Sequence, residues 1–153
     1  MQNNRLTSFS IKPILESLKT RGTLVSLTLS ENKLGRAGMA GLMSYLSSTK
    51  TLETLEISNA KMSDGEVAVL VEGMKQNTTV KELDLSNNDF NSPAGESLAQ
   101  MLDPSVSRSA LTFLDISWNQ IRKHGAIALG ESLKDNNTLT LLDLSYCAFG
   151  DAG

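Results

Sequence analysis

The sequence predicts an α/β chain wound as a curved solenoid, with parallel strands on the concave side and helices on the convex side. Two observations carry that expectation. Five segments superimpose: LVSLTLSENKL from Leu24, LETLEISNAKM from Leu52, VKELDLSNNDF from Val80, LTFLDISWNQI from Leu111 and LTLLDLSYCAF from Leu139, with starts 28, 28, 31 and 28 residues apart. Inside each segment apolar residues alternate, as in a strand with one face turned inward, and between segments they recur at i and i+4, as on one face of a helix. One strand and one helix cannot enclose a core, so each repeat must lean on its neighbours.

Composition agrees with a folded domain. The chain has 153 residues, 40% of them apolar and 20% charged, enough for one domain with a real core. Fourteen Lys and Arg against 17 Asp and Glu leave a formal charge of -3, which offers no electrostatic footprint for nucleic acid. No apolar run approaches a membrane span, and the opening MQNNRLTSFS lacks the apolar core of an export signal. A single cysteine excludes an internal disulfide framework. No nucleic-acid or membrane partner is expected, and the expected location is cytoplasmic.

The elements follow in chain order. Residues 1–23 read as a partial repeat, because counting back one period from Asn32 and Leu34 lands on Asn4 and Leu6, and Ile14 and Leu18 match Leu42 and Leu46. Repeats starting at 24, 52, 80 and 111 each supply a strand with an inward pair: Leu27/Leu29, Leu55/Ile57, Leu83/Leu85 and Leu114/Ile116. The helices behind them carry Leu42 and Leu46, Leu70 and Met74, Leu98 and Leu102, and Leu129 and Leu133. The longer interval places its three extra residues around Asp103-Pro104-Ser105, a loop composition. Residues 139–153 form a truncated repeat with Leu142/Leu144 inward, and FGDAG at 149–153 matches LGRAG at 34–38. Neither end carries a polar cap, so residues 1–153 are expected to be a single domain cut from a longer array. Apolar ends also make end-to-end self-association an expectation.

The shared pattern L-x-x-L-x-L-S-x-N/C-x-L resembles the leucine-rich repeat family. The resemblance is to the 28-residue ribonuclease-inhibitor-like type found in ribonuclease inhibitor, Ran GTPase-activating protein, tropomodulin and NOD-like receptors. It covers nearly the whole chain and implies the solenoid. For function it implies a non-catalytic protein-interaction module or scaffold. Ran GTPase-activating protein suggests instead a regulator of a small GTPase, and tropomodulin a structural part of a cytoskeletal or axonemal assembly.

One column is expected to be structural. Asn32, Ala60, Asn88, Asn119 and Cys147 occupy the same place in successive repeats, where a side chain can turn inward and bond loop backbone that would otherwise be buried unpaired. Cys147 is thus a ladder residue, and its buried thiol fits a reducing compartment. Ala60 interrupts the column, so water or a local shift is expected to serve the second repeat's loop.

The remaining strand positions face the concave side. Their middle column reads Thr28, Glu56, Asp84, Asp115 and Asp143, and the next Ser30, Ser58, Ser86, Ser117 and Ser145. Beyond it lie Glu31, Asn59, Asn87, Trp118 and Tyr146, and on the other flank Ser26, Thr54, Glu82, Phe113 and Leu141. Carboxylates on neighbouring strands about 4.8 Å apart repel by roughly 0.9 kcal/mol in a water-like dielectric. The fold has no evident need of that cost, which hints at a cationic partner. Trp118, Tyr146 and Phe113 are the candidate anchors, with Glu56, Asp84, Asp115 and Asp143 supplying steering and register. The expected partner is a protein with a basic or mixed surface.

No other chemistry is indicated. His124, the only histidine, sits where an outer helix begins, and one His with one Cys makes neither a metal site nor a catalytic triad. No cofactor, metal or catalytic residue is expected. Asn77-Thr78-Thr79 and Asn136-Asn137-Thr138 fit the glycosylation pattern but read as chance matches in helix-to-strand loops. Arg5, Lys33 and Lys61 share a loop column, a thin basic edge.

Overall fold

The computed structural model describes residues 1–2, 4 and 6–150; Asn3, Arg5 and the final Asp151, Ala152 and Gly153 lie outside the described residues. Helices and strands alternate: α1 (Ser8–Arg21), β1 (Ser26–Thr28), α2 (Gly35–Leu46), β2 (Thr54–Glu56), α3 (Asp64–Met74), β3 (Glu82–Asp84), α4 (Ser92–Leu102), β4 (Phe113–Asp115), α5 (Lys123–Ser132) and β5 (Leu141–Asp143). The strands form one sheet in the order β1-β2-β3-β4-β5, every pair parallel. Its register is the repeat register, since Leu27, Leu55, Leu83, Leu114 and Leu142 stand opposite one another in a row. The chain is an α/β solenoid. No helix among the described residues is long and apolar enough to cross a membrane.

The core lies between the sheet and the helix layer. Leu55, Ile57, Leu83, Leu85, Leu114 and Ile116 meet Leu42, Leu46, Leu70, Met74, Leu98 and Leu129 there, all buried. Consecutive helices pack side by side, α1 on α2 through to α4 on α5. Glycines allow the last of these to close: a Cβ at Gly95 would stand 2.7 Å from Ile121 Cγ2, and one at Gly125 would stand 2.5 Å from the Ser92 carbonyl oxygen. The extra residues of the long interval are taken up after α4, where Asp103 Oδ1 accepts the Ser105 N–H and the Arg108 N–H bonds to Lys75 O. The sheet register is therefore undisturbed, with Glu82 opposite Phe113.

The first helix departs from simple period counting. Ile11 and Leu15 are its fully buried residues, whereas Ile14 and Leu18 are only half-buried. Among the described helices α1 packs on α2 alone, so the face that is flanked twice in α2, α3 and α4 is flanked once here. The same asymmetry leaves Leu142 and Leu144 half-buried beside β5.

Candidate protein-binding surface

The surface depends on a polar ladder beneath it. Asn32 Oδ1 accepts the N–H groups of Asn4 and Leu6, and its Nδ2 donates to the carbonyls of Met1, Leu29 and Ser30. Asn88 Oδ1 accepts from Ala60 N and Met62 N, while its Nδ2 donates to Ile57 O, Leu85 O and Ser86 O. Asn119 repeats the arrangement, accepting from Asn88 N and Phe90 N. Each ladder residue therefore serves the loop of the repeat before it.

That direction corrects the expectation for Ala60. The second repeat's loop is served by Asn88, and the gap falls one repeat earlier, where the N–H groups of Asn32 and Leu34 find no acceptor among the described residues. A local shift does accompany the gap, because Lys61 takes a φ of +52°. Cys147 closes the ladder: it is 2% exposed, and its thiol donates to Ile116 O at 3.0 Å. Burial pushes its pKa up, opposed by a backbone hydrogen bond from Asn119 and reinforced slightly by the carboxylates of Asp143 and Asp115.

Immediately before each ladder residue the backbone turns through the left-handed region. Glu31, Asn59, Asn87, Trp118 and Tyr146 have φ of 60°, 50°, 53°, 57° and 58°. This turn ends each strand after three residues and aims the column outward at the carboxyl-terminal edge of the sheet. Asparagine tolerates that conformation best, whereas other residues with a Cβ lose roughly 1–2 kcal/mol in it. Trp118 and Tyr146 nevertheless occupy it, 58% and 70% exposed. Their rings stack on each other with centroids 4.0 Å apart and planes 19° from parallel.

The acidic column is structured locally. Asp84, Asp115 and Asp143 each accept, through Oδ1 at 2.8 Å, the N–H of the serine two residues on. The Asp-x-Ser spacing thus makes an Asx-type turn where the strand ends, a structural return that offsets part of the repulsion between neighbouring carboxylates. Ser145 holds the Asp143 carboxyl below its ordinary range through side-chain and backbone hydrogen bonds. Glu56 lacks that turn and instead accepts from Thr28 Oγ1 at 2.8 Å.

The serine column differs from an open face. Ser30 and Ser117 are buried, and Ser30 Oγ accepts from both the N–H and the hydroxyl of Ser58. On the other flank Phe113 is half-buried opposite the exposed Leu141.

A second set of asparagines escaped the sequence reading. Asn77, 2% exposed, donates to Leu46 O of the preceding repeat and accepts from Thr79 N and Val80 N. Asn136 likewise donates to Leu102 O and accepts from Thr138 N and Leu139 N. Both glycosylation-like triplets are therefore helix-to-strand staples whose amide nitrogens are engaged. His124 is exposed on α5. Among the described residues no group of three or more His, Cys, Asp or Glu could hold a metal ion.

Alternating three-residue strands and helices, a 28-residue register and an inward asparagine column define a leucine-rich repeat solenoid. The leucine-rich repeat family model matches residues 76–99, 109–130 and 135–153. These segments match the leucine-rich repeat family, and the same fold runs through the described residues of the chain. Its fold is similar to that of leiomodin-1 actin-binding site 2, with a TM-score of 0.70 at 16% identity over 85% of this chain and 76% of that one. It is also similar to the tropomodulin C-terminal domain of Caenorhabditis elegans, with a TM-score of 0.67 at 16% identity over 86% and 82%. Among curated proteins none matches the chain significantly.

Proposed function

We propose that this chain is a non-catalytic protein-interaction module that binds a protein partner through its concave face. Trp118 and Tyr146 are the anchors, Phe113 widens the apolar contact, and Glu56, Asp84, Asp115 and Asp143 steer and orient a partner with a basic or mixed surface. The observation that carries the reading is the stacked, exposed pair at positions where the backbone favours asparagine. Stacking returns about 0.5–1.5 kcal/mol, no more than the left-handed backbone costs the two residues, so stability gives no reason to keep aromatics there. Exposed Trp and Tyr beside an apolar neighbour are the usual composition of a binding hot spot. The buried, unbridged Cys147 suits a reducing, cytoplasmic setting.

The test is capture of partners from cell extract by the wild-type chain and by a Trp118→Asn/Tyr146→Asn variant, with Asn59→Ala/Asn87→Ala as control. Asparagine relieves the backbone, so the variant should unfold at no lower denaturant concentration than a matched control. Loss of a captured protein with the aromatic variant alone is the expected result. Capture that survives it would move the site to the helices or the ends of the stack.

A second reading concerns the partner. Leiomodin-1 actin-binding site 2 shares this fold, which makes actin the first purified protein to try. Co-sedimentation with filaments and a monomer-binding assay that both stay negative would remove it.

A further inference from the structure

Across β4 and β5 the sheet presents three rungs in order. Phe113 stands opposite Leu141, Asp115 opposite Asp143, and beyond the turn Trp118 lies against Tyr146. Outward residues on one strand are about 7 Å apart, so the apolar step and the acid pair match side chains two residues apart on an extended partner. The first three repeats offer no such sequence, with Ser26, Thr54 and Glu82 on the flank and Glu31, Asn59 and Asn87 at the turn.

The acid pair has an unmet need. Asp115 and Asp143 each use Oδ1 on their own strand's serine. The ion pairs among the described residues are Lys75 with Glu72 and Lys81 with Glu53, so neither aspartate has a cation beside it. Upstream, Glu56 and Glu82 are held by hydroxyls of the neighbouring strand, Thr28 and Thr54. An acidic or purely apolar partner would bury the aspartates uncompensated, a strong penalty. A guanidinium suits them: it is planar, carries five donors, can bridge carboxylates on two neighbouring strands, and packs on aromatic faces as an ammonium does less well.

We infer that β4 and β5 recognise an extended, arginine-bearing segment of the partner. One guanidinium bridges Asp115 and Asp143, an apolar residue two positions away rests on Phe113 and Leu141, and a second arginine on the other side lies over Trp118 and Tyr146. The inference rests on the concave-face reading above and specifies its occupant.

Trp118 is the chain's only tryptophan, so its fluorescence reports directly from the site. The probe is the capped peptide Ser-Leu-Ser-Arg-Ser-Arg-Ser, compared at low salt with versions carrying Lys or Glu in place of Arg. The expected result is a saturable change in Trp118 emission, with the arginine peptide at least fivefold tighter than the lysine one and the glutamate peptide silent. An Asp115→Asn/Asp143→Asn variant should weaken the arginine peptide at least tenfold. Asparagine keeps the Oδ1 acceptor that Ser117 and Ser145 require, so the turns are preserved while the charge is removed. No saturable response, an equal response to the glutamate peptide, or indifference to the aspartate variant would overturn the guanidinium site. Partner capture separates the two levels. If it needs Trp118 and Tyr146 but ignores Asp115→Asn/Asp143→Asn, the arginine inference falls and the concave-face function stands; if it ignores both pairs, both fall.

Discussion

The first three repeats and the last two share one scaffold and use it differently. From β1 to β5 the register, the three-residue strands and the left-handed turn are the same. In the earlier half the concave residues largely satisfy each other: Thr28 donates to Glu56, Thr54 to Glu82, and Ser58 to Ser30. In the later half, large side chains stand in solvent at equivalent places, Trp118 and Tyr146 at the turn and Leu141 on the flank. A repeat fold makes this contrast readable, because each position in one half has a control in the other. Where the scaffold alone decides, asparagine fills the left-handed turn, as at Asn59 and Asn87; Trp118 and Tyr146 answer to something besides the scaffold.

The largest expected effect tests the part that both halves share. Asn88→Ala would strand the N–H groups of Ala60 and Met62 and remove the donor to Ile57 O, Leu85 O and Ser86 O. At about 1–3 kcal/mol for each buried group left unpaired, the loss should be about 3 kcal/mol or more, read from urea denaturation. Since these bonds join the second repeat to the third, the transition should also broaden or split as cooperativity across β2 and β3 weakens. A loss below 1 kcal/mol would mean that water replaces the amide and that the ladder does not couple the repeats.

Much of this was legible from the period alone. Alternating leucines placed the strands, and i, i+4 pairs placed the helices, because both patterns express burial and recur five times. What escaped depends on where a side chain reaches. The ladder column is visible in the sequence, but that each member serves the preceding repeat is a tertiary fact, so the sequence alone places the gap at Ala60 one repeat too late. Asn77 and Asn136 share their column with Thr49 and Arg108, which hid a second set of staples. Asp-x-Ser could have been read as a turn, since its hydrogen bond spans only two residues. The left-handed column was obscured by the Glu, Trp and Tyr that occupy three of its five places, and these include the residues on which the proposed site depends.

The gap at Ala60 gives the next largest effect and lies wholly in the earlier half. Ala60→Asn would place an amide where Asn88 has one, with Oδ1 toward the N–H groups of Asn32 and Leu34, which find no acceptor among the described residues. Hydrogen bonds of this kind contribute about 1 kcal/mol net. For a chain of this size that raises Tm by about 2–4 °C, measurable by calorimetry. Partner capture should not change, because the substitution leaves β4 and β5 untouched. A fall in Tm would show that the shifted backbone at Lys61, with its φ of +52°, has closed the space an amide needs.

The smallest expected effect asks whether the acid turn belongs to the concave face or to local chemistry. Asp143 on β5 and Asp103 in the loop after α4 both accept from a serine two residues on, and in both the serine's side-chain and backbone hydrogen bonds hold the carboxyl below its ordinary value of 3.8. A carboxylate whose folded pKa is depressed stabilises the fold fully above its unfolded value. That contribution disappears as pH falls through the lower, folded value. Both residues are only half-buried, so solvent screens the gain, and stability near neutral pH should be flat. The measurable signature is in the titrations: by carboxyl-carbon NMR, Asp103 and Asp143 should both titrate below 3.8, and Ser105→Gly and Ser145→Gly should each move their own aspartate upward. Parallel responses would assign the turn to the Asp-x-Ser spacing wherever it occurs, leaving the charge pair of Asp115 and Asp143, and not their hydrogen bonds, as what distinguishes the proposed binding end of the sheet. A shift at Asp143 alone would tie its depression to the sheet instead.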